Sequence, residues 1–345
     1  MRIAVVGAGS IGCYVGAHLA SVADVTLVGR ARVVDAICER GLTATTMRGA
    51  AWHVPADRLH LDTEVSAVSG AEVVLVTTKT VTNHDIAAQI GPYLTTDTVV
   101  ISLQNGVRNA QVLDEGLQRA FPSRASRPLV LSAVVHHNVV ATDDAVYLAT
   151  TSGGITVKDH PRVDPFVRTA RRGGLSVAVE PDMRPVLMNK LLLNLNNAVN
   201  ALSGRPLRDE LRDPDYRRVL AACQAEALAV SKAAGVTPSR MGPLPAALMP
   251  TVLRSPTPVF AGLARTSLAV TPQARSSMAD DLGRHRRTEI DELQGMVVAL
   301  GERYGIATPV SERLVELVVA AEGQSISDGE HRTYTGGELR AAVGL

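Results

Sequence analysis

An α/β domain built on a doubly wound, mostly parallel sheet, followed by an all-α domain, is the fold this sequence predicts, and three observations predict it. Short runs rich in Val, Ile and Leu alternate with helical stretches through the first 180 or so residues. Strands that are apolar almost throughout, alternating with helices, indicate a parallel sheet covered on both faces. After Pro181 such runs stop and long helical periodicity takes over. A chain of 345 residues is also too long for one ordinary core, so two domains are the starting expectation.

Taken in order, the expected strands are residues 2–6, 24–28, 71–77, 98–102 and 129–135, with helices at 10–21, 83–94 and 110–119 between them. The stretch 142–157 turns short and Gly-rich, which suits antiparallel additions, and 176–179 reads as a last strand. The boundary falls near Asp182, giving a nucleotide-binding domain over 1–182 and an all-α substrate and catalytic domain over 183–345. Helices are expected at 185–203, 216–234, 278–304 and 311–322. The proline-rich stretch 236–272 is either a large loop or several short helices. The tail beyond Ala321 has little apolar content and is expected to fray in part.

Composition narrows the function. Hydrophobic residues make up 46% and charged residues 20%, as in soluble globular proteins. The 35 basic and 34 acidic residues leave a net charge of +1, with no concentrated basic field for a nucleic acid or an anionic membrane. Cys13, Cys38 and Cys223 lie far apart, with neither CxxC nor metal spacing, and read as reduced thiols. No signal peptide fits the start, and no apolar run reaches the roughly 20 residues that span a bilayer. The expected location is the cytoplasm.

Gly7-Ala8-Gly9-Ser10-Ile11-Gly12 follows the first strand directly and opens a helix. In that context the spacing signals a dinucleotide loop of the Rossmann type. One glycine makes the turn, a second admits a pyrophosphate, the third lets helix and strand pack, and the helix start offers unpaired N–H groups. The second strand ends in Gly29-Arg30, where an acid would favour NAD. Gly29 leaves room and Arg30 can pair with a 2′-phosphate, so NADP is the expected cofactor. Lys79 and Gln104-Asn105-Gly106 follow two later strands, at the carboxyl edge where ligands of open sheets bind.

In the second domain, a straight helix over 185–203 puts Lys190, Asn194 and Asn197 within about 60° of one another, opposite an apolar stripe. Its five asparagines (Asn189, Asn194, Asn196, Asn197, Asn200) are poor helix formers. They suggest a hydrogen-bonding face turned to a ligand. Further on, Ser277 with Asp280 resembles a capping-box helix start. A continuous helix over 278–304 would place Glu289 in its apolar stripe, about 20° from Leu282. A carboxylate there needs a partner, such as Arg286, or a task in an active-site cleft.

Together these motifs resemble the ketopantoate reductase family, in its order and over about residues 1–315. They are the GAGSIG loop, Lys79, Gln104-Asn105-Gly106, the helix with Lys190 and Asn194, Ser276-Ser277-Met278 and Thr288-Glu289-Ile290-Asp291. The resemblance implies NADPH bound between a Rossmann domain and an all-α domain. It implies Lys190 and Glu289 as catalytic residues, with Asn105, Asn194 and Ser277 positioning the substrate. The family's asparagine four residues after Asn194 is Ala198 here, and Asn197 is the expected replacement. The expected reaction is reduction of a small 2-keto acid, ketopantoate or a relative, in pantothenate biosynthesis. No nucleic-acid or membrane partner is expected, and a homodimer is left open. The rivals are a β-hydroxy-acid or opine-type dehydrogenase and a non-catalytic NADP(H)-binding regulator.

Overall fold

The computed structural model describes residues 1–240, 244–263 and 273–345, and the chain forms two units, Met1–Met183 and Arg184–Leu345. In the first unit the strands are β1 (Arg2–Val6), β2 (Asp24–Val28), β3 (Leu42–Thr46), β4 (Ala51–Val54), β5 (His60–Asp62), β6 (Val73–Val76), β7 (Val99–Ser102), β8 (Leu129–Val135), β9 (Val139–Asp143), β10 (Val146–Ala149), β11 (Ile155–Lys158) and β12 (Val177–Glu180). Its helices are α1 (Ser10–Ala20), α2 (Ala31–Arg40), α3 (Asn83–Ile90), α4 (Asn109–Gly116) and α5 (Asp164–Arg172).

Eight strands make the main sheet in the order β12-β11-β8-β7-β6-β1-β2-β5. Pairing is parallel throughout except between β11 and β8. Alternate residues of the central strands face opposite cores, as the two-residue period of a strand requires. Ile3, Val5, Leu27, Leu75 and Ile101 join α1, while Ala4, Val6, Val28, Val76 and Val100 join α3 and α4. Ile3 through Val6 are at most 2% exposed, and each of the larger side chains contributes about 1.5–3 kcal/mol by leaving water.

The register matters most for function. Val6 pairs with Val28 on one side and Val76 on the other, and Val76 pairs with Ser102. Four strands therefore end side by side, and their following residues, Gly7, Gly29, Thr77 and Leu103, begin loops along one edge of the sheet. The strand order reverses between β1 and β6, the switch point where ligands of open α/β sheets bind.

A second sheet, β4-β3-β10-β9, departs from the sequence expectation, which placed no strands at 42–54. It packs on α1, on the side away from β1 and β2. Consequently Gly12 through Ala20 are all buried, far more of the helix than a one-sided amphipathic helix would bury.

The second unit is helical: α6 (Arg184–Asn194), α7 (Asn196–Ser203), α8 (Leu207–Arg212), α9 (Pro214–Ala233), α10 (Met249–Arg254), α11 (Thr257–Leu263), α12 (Ser277–Gly283), α13 (Gln294–Tyr304), α14 (Pro309–Asp328) and α15 (Gly336–Ala342). The helix α9 packs against α8, α10, α13, α14 and α15. Arg217 on it is fully buried and donates to the carbonyls of Leu211, Arg212, Leu253 and Ser255, tying together the carboxyl ends of α8 and α10. Those ends carry partial negative charge, which compensates the buried cation.

Three expectations are corrected. The helix over 185–203 is interrupted at Leu195, because side-chain amides from elsewhere engage its backbone: Gln224 donates to the Leu192 carbonyl at 3.0 Å and Gln294 to that of Leu195 at 2.7 Å. The helix over 278–304 is two helices, parted by a segment in which His285 has φ of 54° and Ile290–Glu292 forms a 3₁₀ turn. The tail does not fray: α14 runs to Asp328, and α15 is closed by a capping box from Thr335 and Glu338. The Tyr216 hydroxyl donates to the Tyr334 carbonyl at 2.6 Å just before it. Within the stretch 236–272, α10 and α11 are short helices, while 241–243 and 264–272 lie outside the described residues.

Candidate active site

The glycine loop is shaped by contacts on three sides. Gly7 has φ of +107°, where side chains are strained, and its N–H and that of Ala8 both donate to the Val28 carbonyl at the end of β2. The Gly7 carbonyl accepts from Gly9 N at 2.6 Å and from Thr77 Oγ1 at 2.7 Å. A Cβ on Gly12 would overlap that carbonyl and lie 2.7 Å from Thr77 Oγ1. Gly9 differs: a Cβ there would meet nothing closer than Gly7 O at 4.0 Å, and the residue is exposed. The first turn of α1 has no acidic residue and no side-chain cap. Gly9, Ser10 and Ile11 thus line an open rim where helix N–H groups and the positive end of the helix dipole face solvent, and this fits a dinucleotide's phosphates.

Gly29 does not play the part expected of it. A Cβ there would stand 2.5 Å from the Ala8 Cβ, so its smallness seats the glycine loop on β2 rather than clearing room for a 2′-substituent. Arg30 follows as the exposed N-cap of α2, on the same edge. Arg32 is drawn instead to Asp144, 3.5 Å away on the β9–β10 turn.

Lys79 and Asn105 sit on the next two loops, which a chain of buried amides joins. Gln104 Nε2 donates to the Thr78 carbonyl at 2.8 Å and to Asn83 Oδ1. Asn83 Nδ2 donates to Asn109 Oδ1 at 2.8 Å, and Asn109 Nδ2 to the Asn105 carbonyl. Sequence reasoning missed Asn83 and Asn109. The available signal was an asparagine at the start of each helix that follows a flagged strand end.

In the second unit, Lys190 and Asn194 share α6, one turn apart. Lys190 is part-buried, and burial alone lowers its pKa below the ordinary lysine value. The interruption at Leu195 ends the straight helical count from Lys190 to Asn197. Asn197 is turned to α12, where its Nδ2 lies 3.4 Å from Ser277 Oγ. Ser276, not Ser277, caps α12, accepting from Ala279 N at 3.1 Å. Ser277 is thereby left to meet Asn197.

The five asparagines divide their work. Asn189 holds Ser239 Oγ and the Arg240 carbonyl, and Asn196 and Asn200 hold Glu210. Asn197 faces Ser277, and Asn194 lies one turn from Lys190 on α6. Ala198 is fully buried. Glu289 lies in no helix: it is the N-cap of the 3₁₀ turn, after Thr288, whose Oγ1 accepts from Ile290 N at 3.2 Å. Glu289 therefore does not lie on an apolar helical stripe, and it stays part-buried.

A glycine loop opening a helix at the edge of a parallel sheet, carried with a helical unit that holds a part-buried lysine, fits the class of pyridine-nucleotide-dependent oxidoreductases. Two family models match the chain, "Ketopantoate reductase PanE/ApbA" over residues 3–162 and "Ketopantoate reductase PanE/ApbA C terminal" over residues 182–322. The chain belongs to the ketopantoate reductase family. It is 28% identical over 330 residues to the 2-dehydropantoate 2-reductase of Halobacterium salinarum, covering 93% of this chain and 99% of that one. A ketopantoate reductase structure from Ralstonia eutropha JMP134 superposes with a TM-score of 0.78 at 28% identity, over 94% and 99% of the two chains. D-mandelate dehydrogenase, solved with NADH and anilino(oxo)acetate, shares the fold at 20% identity, with a TM-score of 0.72 over 94% and 99%. Among the described residues no helix is long and apolar enough to cross a membrane, and no group of His, Cys, Asp and Glu could hold a metal ion.

Proposed function

We propose that the chain reduces a small 2-keto acid, ketopantoate or a near relative, to the 2-hydroxy acid with NADPH. The observation that carries this reading is Lys190, a part-buried ammonium on α6 whose pKa burial lowers, one turn from Asn194. Such a group is costly to bury and suited to giving up a proton.

The Gly9 N–H is taken by the Gly7 carbonyl, so the N–H groups at Ser10, Ile11 and Gly12 would hold the pyrophosphate beside the open rim at Gly9, with Arg30 reaching the 2′-phosphate and Lys79 and Asn105 completing the cofactor side. When bound, NADPH supplies a hydride from C4 of its nicotinamide to C2 of the keto acid. Lys190 donates a hydrogen bond to the ketone oxygen and passes it a proton as negative charge develops, which balances the two-electron reduction. Asn105, Asn194, Asn197 and Ser277 orient the substrate's carboxylate and remaining polar groups by hydrogen bonds. Glu289 accepts from the emerging hydroxyl.

The test is the loss of NADPH absorbance with a panel of 2-keto acids, ketopantoate first, on wild type and Lys190→Ala. Lys190→Ala is expected to lower kcat by about a hundredfold or more with NADPH affinity unchanged. Near-normal turnover in folded Lys190→Ala protein, or no turnover of any 2-keto acid by wild type, refutes the reading.

A further inference from the structure

The second unit contains one carboxyl group that the proposed reaction does not use and that burial makes expensive. Glu210, on α8, is completely buried. Its partners among the described residues are two amides and no cation: Asn200 Nδ2 donates to Oε2 at 2.8 Å and Asn196 Nδ2 to the same atom at 3.3 Å. A carboxyl group in such surroundings costs the fold several kcal/mol if it stays ionised. The chain nevertheless keeps it under α7, the helix that carries Asn197.

Asn200 makes the connection. Its Nδ2 donates to Glu210 and to the Arg205 carbonyl at 3.0 Å, which forces its Oδ1 the other way. That oxygen accepts from Ser276 N at 2.8 Å. Ser276 Oγ in turn donates to the Asn197 carbonyl at 3.2 Å. The relay from Glu210 therefore ends on the carbonyl of Asn197 and on Ser276, the residue next to Ser277, whose side chain faces Asn197.

We propose that Glu210 is a positioning residue for the keto-acid pocket: through Asn200 it fixes the start of α12 against α7 and so sets the spacing of the Asn197 amide and the Ser277 hydroxyl. The inference rests on the reading of Asn197 and Ser277 as substrate-orienting groups. Glu210 works in its neutral form. Burial raises its pKa to about 8. Its Oε1 and Asn196 Oδ1 are also both buried without a hydrogen-bond partner among the described residues. Two unsatisfied acceptors on adjoining side chains are costly, and a proton on Oε1 turns one of them into a donor. Glutamine is then the faithful replacement, since it accepts and donates without charge.

The experiment is steady-state kinetics on E210A, E210Q, N200A and the double variant E210A/N200A, with thermal melts and NADPH titrations of each. N197A and S277A are measured in parallel. Losing one buried, oriented hydrogen bond corresponds to about a five- to thirtyfold effect. E210A and N200A are therefore expected to raise KM for the keto acid by about that factor, with kcat within about threefold and NADPH affinity unchanged. E210Q should keep the wild-type KM, and the double variant should be no worse than either single one. Wild-type KM in N200A overturns the relay whether or not E210A folds. So does an E210Q as impaired as E210A, or a double variant in which the effects multiply. If N197A and S277A raise KM while N200A does not, only the relay fails. If N197A and S277A leave KM unchanged, the substrate role of that pair fails and the relay with it.

Discussion

Replacing Gly9 and Gly12 singly by alanine should separate what the glycine loop needs to fold from what it needs to bind. At Gly12 the new methyl overlaps the Gly7 carbonyl and lies 2.7 Å from Thr77 Oγ1 and 3.1 Å from Val5 Cγ1. An ordinary carbon–oxygen contact is about 3.3 Å or more, so the carbonyl must retreat by roughly an ångström. That carbonyl accepts from Gly9 N and Thr77 Oγ1, and both bonds suffer. Overpacking of about 1–3 kcal/mol, with about 1 kcal/mol for a weakened hydrogen bond, gives a loss of about 2–4 kcal/mol. For a unit of this size that is a fall in Tm of roughly 5–15 °C. Gly9 has φ of −95° and ψ of −167°, which alanine adopts freely, and its Cβ would meet nothing within ordinary contact. Gly9→Ala should then melt within about 3 °C of wild type, since loss of a glycine N-cap costs under about 1 kcal/mol. Its methyl nevertheless stands on the open rim and should weaken NADPH binding by about tenfold or more, the equivalent of 1.4 kcal/mol. Thermal melts and titration of NADPH fluorescence read the two quantities separately. A Gly9→Ala protein with wild-type NADPH affinity would refute the placing of the phosphates, and an unchanged Tm in Gly12→Ala would refute the packing argument.

Four further outcomes follow from the site. Because burial lowers the Lys190 pKa and the reaction needs the ammonium, kcat/KM should fall as pH rises through a value below the ordinary 10.5. Lys190→Arg should push that limb upward in whatever activity remains, and a wild-type limb at or above 10.5 contradicts the assignment. The same shift makes the charged form a burden on folding. Between the lowered pKa and 10.5 the unfolded chain holds the extra proton, so stability from this group rises with pH, and Lys190→Met should melt higher than wild type at neutral pH. Arg30→Ala should cost about ten- to hundredfold in NADPH affinity and leave NADH binding alone, and equal affinity of wild type for both cofactors would remove Arg30 from the site. Ala198→Asn buries an amide in a filled core and should destabilise by about 2–4 kcal/mol without improving ketopantoate turnover. A gain in turnover would return position 198 to the pocket.

Legibility in the sequence followed the range of the interactions. The parallel sheet could be read because Val73 to Val76 and Val99 to Ile101 are apolar on both faces, a local property. The glycine loop could be read because its constraints, Gly7 on Val28 and Gly12 on Gly7, lie within a short stretch of chain. The interruption at Leu195 was invisible because its causes, Gln224 and Gln294, are 32 and 99 residues away along the chain. The strand Leu42–Thr46 was missed because its threonines and alanine give little apolar contrast and its partner β10 lies some hundred residues on. The break before Glu289 did carry a local signal, Gly283 followed by four consecutive basic residues, which the helical periodicity on either side outweighed. The lysine and its neighbouring Asn194 were legible because they share one uninterrupted helix. The division of labour among the asparagines was not, because it depends on Glu210, Ser239 and Arg240, which lie beyond that helix.

The small sheet over α1 has a consequence for how this chain comes into being. The strand β3 is available early, but its parallel partner β10 and the hairpin mate β9 lie beyond residue 138. Until they are made, the outer side of α1 (including Tyr14, Ala17 and His18) has only part of its cover. A ribosome that has released only the first hundred residues has thus produced the glycine loop and β1 to β4 around its helix, but not β9 and β10, which complete the cover. Non-local pairing of this kind forms late. Truncation ahead of residue 149 should therefore leave the outer side of α1 short of two of its strands and the glycine loop on an unsteady helix.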